Sequence, residues 1–84
     1  MPRGLSGWNC RDVISFLKDY KFEFCEYRKG SHEAWISQDK ASVVEIADHH
    51  AKTIPPLTMK TMIRQSKLSE DVWREWAKNG KKRL

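Results

Sequence analysis

Apolar residues recur along this chain in two different periods, and the switches between them divide it into six elements. Cys10, Val13, Ile14 and Leu17 follow the i, i+3, i+4, i+7 spacing of one helix face, which predicts a helix running to about Tyr20. Ser6 or Asn9 is placed to cap it, with Asp12 favourable near its positive end. The period then changes. Residues 21–28 set Phe22 and Phe24 on one side and Glu23 on the other, the pattern of a strand. Lys29-Gly30-Ser31 reads as a tight turn, and 32–37 as a second strand with His32, Ala34 and Ile36 alternating against Glu33 and Trp35. A turn at Gln38-Asp39-Lys40 leads into 41–47, where β-branched residues predict a third strand. Such short turns between consecutive strands imply an antiparallel meander.

The tandem prolines of Ile54-Pro55-Pro56-Leu57 end the sheet region. Thr58 is the expected N-cap of the next helix, with Leu57 and Met62 spaced as a hydrophobic staple. Met59, Met62 and Ile63 give that helix an apolar side, and Lys60, Arg64 and Lys67 a neighbouring basic stripe. Ser69 caps a last helix with Glu70 and Asp71 in its first turn, Val72, Trp73 and Trp76 on its apolar side, and Asn79-Gly80 at its end. A frayed basic tail is expected from about 78 to 84. The order α-β-β-β-α-α predicts an α+β domain spanning 1–84, with helices packed on one face of a three-stranded antiparallel sheet. Trp35, Trp73 and Trp76 are expected in its core.

A chain of 84 residues has room for one modest core and no deep cofactor cavity. No apolar run reaches the length of a membrane span, so the expected setting is cytoplasmic and no membrane is involved. Cys10 and Cys25 lack closely spaced ligand partners and are too few for a disulfide scaffold; two reduced thiols, buried or half-buried, are expected. Charge is unevenly distributed. Residues 1–50 carry seven Lys and Arg against eight Asp and Glu, while 51–84 carry nine against three. A basic surface of that kind suits a polyanion or simply a solvated face.

Three histidines, His32, His49 and His50, are the candidates for proton-transfer chemistry near neutral pH. His32 follows the Gly30-Ser31 turn at the start of a strand, where substrate and solvent have access. Ser31 is no nucleophile paired with His32, because successive strand side chains point to opposite faces; its hydroxyl suits the turn. The scattered glycines form no phosphate loop, and no HxxxH or CxxC pair suggests a metal.

Gly30-Ser31-His32-Glu33-Ala34-Trp35 resembles the GSHxx-aromatic pattern that HicA toxins carry at their first β-turn. Gly4-Leu5-Ser6-Gly7 is similar to that family's opening, and Ile54-Pro55-Pro56-Leu57-Thr58 followed by Met62-Ile63-Arg64-Gln65 to its second-helix entry. Leu68-Ser69 and the helix after it also fit, so the likeness runs through nearly the whole chain. There are two departures: Ala47-Asp48 stand where a proline often precedes the family's second histidine, and Lys21 replaces a glycine common after helix one. The resemblance implies a fold like a double-stranded-RNA-binding domain and a ribosome-independent mRNA endonuclease neutralised by a HicB antitoxin. It places the catalytic histidine at His32 and a second, less strict histidine at His49, with His50 the fallback.

On that basis the expected activity is metal-independent cleavage of mRNA without a cofactor. RNA would dock through Lys29, Lys60, Arg64 and Lys67, with Arg28 and Ser31 at the hairpin and His49 after the third strand as further contacts. His32 would serve as general base on the 2′-hydroxyl or general acid for the leaving 5′-oxygen, with Arg28 and Lys29 offering charge to the transition state. The alternative is a noncatalytic RNA-binding module that reads RNA shape without cutting. A domain whose basic surface serves an acidic protein is the third reading.

Overall fold

In the computed structural model, which describes residues 5–30, 32–47 and 53–79, the chain runs α1 (Cys10–Asp19), β1 (Glu23–Arg28), β2 (His32–Ile36), β3 (Val43–Ala47), α2 (Pro56–Ser66) and α3 (Glu70–Asn79). The three strands form one antiparallel sheet in the order β1-β2-β3. The α-β-β-β-α-α order and the meander are those the sequence predicts. Ser31, His49, His50 and the tail from Gly80 onward lie outside the described residues.

Each helix starts for a local reason. Asn9, not Ser6, caps α1: its side chain accepts from the Asp12 N–H at 2.9 Å, and the Asp12 carboxylate accepts from the Asn9 N–H at 3.0 Å. This reciprocal box satisfies two donors that a helix start otherwise leaves unpaired. Helix α1 closes with Lys21 in the left-handed region (φ 70°), the Lys21 N–H donating to Lys18 O and the Phe22 N–H to Leu17 O. Glycine adopts that conformation freely and lysine does so at a cost of about 1 kcal/mol. Lys21 thus fills the geometric role of the glycine it replaces.

Thr58 is not the cap of α2. The helix begins at Pro56 with Pro55 at the N-cap, and Thr58 lies within the first turn. A proline at the first helical position has a preset φ and no N–H to satisfy, so the tandem prolines start the helix earlier. Leu57 is consequently left exposed and forms no staple with the buried Met62. Ser69 does cap α3, the Val72 N–H reaching its hydroxyl at 3.4 Å.

One face of the sheet carries Trp35, Val44 and Ile46 into the core. They meet Val13, Phe16 and Leu17 of α1, Met59, Met62 and Ile63 of α2, and Trp73 and Ala77 of α3. Trp35 and Trp73 are buried as expected, and Trp76 packs against the core half-buried. The sequence reading gave Trp8 no role, yet it is fully buried and touches Phe16, Trp73 and Trp76. Its carbonyl accepts from the Ile54 N–H at 2.7 Å, tying the segment before α1 to the entry of α2.

Strand β1 departs from expectation. Phe22 is buried ahead of the strand, but Phe24 is largely exposed, because β1 is an edge strand and its register shifts between Phe24 and Glu26. Cys25 sits at that irregularity and is exposed, whereas Cys10 is buried and donates its S–H to Ala47 O at 3.0 Å. Both thiols are free. The expectation of two buried or half-buried cysteines fails for Cys25, where edge position outweighs the residue's usual preference. Strands β1 and β3 also begin two residues later than expected: Lys21 closes α1, and Ala41-Ser42 belong to the β2–β3 turn.

That turn is organised by Asp39. Its Oδ1 accepts from the Ser37 hydroxyl at 2.6 Å and the Ala41 N–H at 3.0 Å. These bonds, the Ser37 hydroxyl first, hold its carboxyl below the usual carboxylate range. A depressed folded-state value stabilises the turn above the unfolded value of about 3.9 and loses that contribution as pH falls through the folded value. The Ala41 amide resonance is therefore expected to titrate with a midpoint below about 3.9. Asp39→Asn should abolish that titration; an unchanged profile in the variant would remove Asp39 from the turn's pH response.

Candidate functional site

The three-residue connection between β1 and β2 places Arg28 directly opposite His32. Gly30 within it has φ 71°, and an added Cβ would meet nothing within 4 Å, so conformation and not space calls for glycine there. His32 in turn pairs with Ala47 on β3, so it belongs to the middle strand at the hairpin end of the sheet. Its side chain is 48% exposed.

Alternation along the strands puts His32 and Ala34 on the face opposite Trp35. Glu26 and Glu45 flank Ala34 on either side in the ladder. Ala34 is wholly buried and stands between these two carboxylates in the ladder. Arg28 reaches across it, donating from Nη1 to Glu45 Oε2 at 2.8 Å and from Nε to Glu26 Oε2 at 3.1 Å. A larger side chain at 34 would block that reach. The other oxygen of Glu45, Oε1, stands 3.9 Å from His32 Nδ1. The guanidinium is held above its already high ordinary value, by Glu45 first and Glu26 second.

Two of these residues escaped the sequence reading. Neither Glu26 nor Glu45 has a role in the sequence analysis. The available signal was Glu45 standing as the one charged residue of Ala41-Ser42-Val43-Val44-Glu45-Ile46-Ala47, a run otherwise suited to a strand.

Of the expected phosphate contacts, Arg28 is gathered beside His32 and Lys29 lies exposed in the adjoining turn. Lys60, Arg64 and Lys67 are all exposed along α2 and border one shallow depression with Leu68, Ser69 and Glu70. Helix α2 packs against β3, where Gln65 Oε1 accepts from the Glu45 N–H at 3.1 Å and so satisfies a backbone donor on the strand's outer edge. Lys67, itself left-handed at φ 64°, donates from Nζ to Ala41 O at 2.9 Å. Ala41 lies in the turn that leads into β3, whereas Ala47, opposite His32, ends that strand, so Lys67 marks the end of the sheet remote from His32. Expected contacts at Ser31 and His49 fall outside the described residues.

Among the described residues no group of three or more His, Cys, Asp and Glu converges as a metal site, and no helix is long and apolar enough to cross a membrane. The arrangement offers an accessible imidazole, a fixed cation opposite it and a carboxylate between them. Those groups suit proton transfer at a phosphodiester.

Residues 10–68, well over half of the chain, match the family model described as "HicA toxin of bacterial toxin-antitoxin". No curated protein and no solved structure matches the chain.

Proposed function

Since this chain belongs to the HicA toxin family of bacterial toxin–antitoxin systems, we propose that it acts in the cytoplasm as a metal-independent endoribonuclease that cleaves mRNA with His32 as its catalytic residue. The observation that carries this reading is the half-exposed imidazole of His32 at the turn end of the β1–β2 hairpin, with Arg28 directly opposite in the ladder. Imidazole can take the proton of a ribose 2′-hydroxyl or supply one to the departing 5′-oxygen. Attack by the 2′-oxygen on the neighbouring phosphate gives a 2′,3′-cyclic phosphate and confines the reaction to RNA. Negative charge gathers on the phosphoryl oxygens in the transition state, and a cation already held in place stabilises it without reorganisation. Arg28 and Lys29 are the nearest such groups along the hairpin.

Further phosphates of the strand meet Ser31, His49 and the basic stripe Lys60, Arg64 and Lys67. Because that stripe extends toward the far end of β3, it grips RNA several nucleotides from the cut and contributes to affinity more than to the chemical step. A toxin of this family implies an antitoxin partner, and we assign that role to a HicB-type protein.

The test is incubation of end-labelled single-stranded RNA with the purified protein in EDTA, beside DNA of the same sequence. Cleavage of RNA alone, with cyclic-phosphate ends and none by His32→Ala, is the expected result. RNA that both proteins bind in a salt-dependent manner but neither cuts would leave a noncatalytic binding module and withdraw the enzymatic reading.

A further inference from the structure

We propose that Glu45 is a positioning residue for His32: its Arg28-anchored carboxylate holds the imidazole with Nδ1 inward and leaves Nε2 as the nitrogen that faces substrate. The proposal rests on the ribonuclease reading for its catalytic consequence, while the orientation itself is a property of the free protein.

Four features of the fold converge on Glu45. The ladder sets Glu45 opposite Ala34 and His32 opposite Ala47, so Glu45 and His32 are diagonal neighbours on adjacent strands. Such pairs have Cα atoms about 7–8 Å apart, within reach of a long side chain. Ala34 at the centre of the cluster presents only a methyl group, so the carboxylate can lie across it. Arg28 Nη1 holds one oxygen, Oε2, at 2.8 Å, which orients the other, Oε1, toward His32 Nδ1 at 3.9 Å. Finally, Gln65 clamps the Glu45 backbone N–H to α2, fixing the point from which the side chain extends.

Among the described residues, the charged groups against His32 are Glu45, from β3, and through it Arg28, from β1. A carboxylate facing Nδ1 favours the neutral tautomer that carries its proton there and its lone pair on Nε2. That lone pair is what a general base needs, and the imidazolium formed after proton transfer gains a neighbouring anion. The 3.9 Å separation exceeds a hydrogen bond, as is common where a catalytic contact tightens only when substrate arrives. Glu45 is unsuited to be the base itself. Its Oε2 is already engaged by the Arg28 guanidinium at 2.8 Å, and only Oε1 is turned toward the imidazole.

The experiment is nitrogen-15 NMR of the imidazole rings in the free wild-type protein and in Glu45→Gln and Glu45→Ala, at a pH where His32 is neutral. Wild type should show His32 with its proton on Nδ1, and both variants should shift toward the Nε2–H form that free imidazole side chains favour. On RNA the variants should lose about 10- to 100-fold in kcat, the range seen when an outer partner of a functional histidine is removed, with KM little changed. A wild-type His32 already protonated on Nε2, or a tautomer indifferent to both substitutions, overturns the proposal. So does a kcat loss in Glu45→Gln with the tautomer intact, which would make Glu45 the proton acceptor. Failure of the ribonuclease reading is separately visible. If wild type cuts no RNA yet its Nδ1–H tautomer depends on Glu45, the orienting role stands and the enzymatic one falls.

Discussion

Trp73→Ala should cost about 3–5 kcal/mol of folding stability, the range for truncating a large buried aromatic. Trp73 has no exposed surface and stacks on Phe16 of α1 with ring centroids 3.9 Å apart. It also meets Trp8 at 5.4 Å. Its indole N–H donates to the Ser66 hydroxyl at 3.2 Å, which itself donates to Ile63 O at 2.6 Å and accepts from the Leu68 N–H at 3.1 Å. One side chain therefore joins the N-terminal segment, α1, the end of α2 and α3. Alanine would leave a cavity among groups that cannot collapse together, because each belongs to a different element. Domains of this size commonly hold only 5–15 kcal/mol in total, so a substantial unfolded fraction at 37 °C is expected. Urea unfolding followed by circular dichroism measures the difference. A loss under about 1 kcal/mol would mean that the aromatic cluster is not the keystone of the helical layer.

His32→Ala should behave in the opposite way, losing RNA cleavage by about 10²- to 10⁴-fold with little change in stability. The side chain is nearly half exposed and its contact with Glu45 is long, so its removal opens no cavity and strands no buried partner. The Arg28–Glu45 and Arg28–Glu26 pairs persist without it. Surface ion pairs of this kind contribute little to stability, so whatever reorganisation follows is confined to the sheet face. Parallel measurement of cleavage and urea midpoint separates the two effects. Activity lost in step with stability would assign His32 a structural place and leave the proton-transfer step without its residue.

Several elements were legible along the chain because their signals are local. The i, i+3, i+4, i+7 spacing of Cys10, Val13, Ile14 and Leu17 comes from the pitch of a helix. The alternation around Trp35 reflects the two-residue period of a strand. Where two local signals competed, the less obvious one prevailed: Thr58 looked like a cap, but the preset geometry of Pro56 opened α2 ahead of it. At Lys21 the helix-end geometry was imposed on a residue that does not favour it, because the Lys18 and Leu17 carbonyls still needed donors.

By itself, then, the sequence determined the order of elements, the antiparallel sheet, the apolar faces of the helices and the placing of His32 at the first hairpin. Local periodicity, turn residues and the Gly30-Ser31-His32 motif are enough for these. Only the tertiary structure decided that Trp8 is core, that Phe24 and Cys25 are exposed, and that Arg28, His32 and Glu45 share one face. Those outcomes depend on which strand lies at the edge and which residues stand opposite in the ladder, and contacts across 13 or 17 positions leave no periodic trace in the chain.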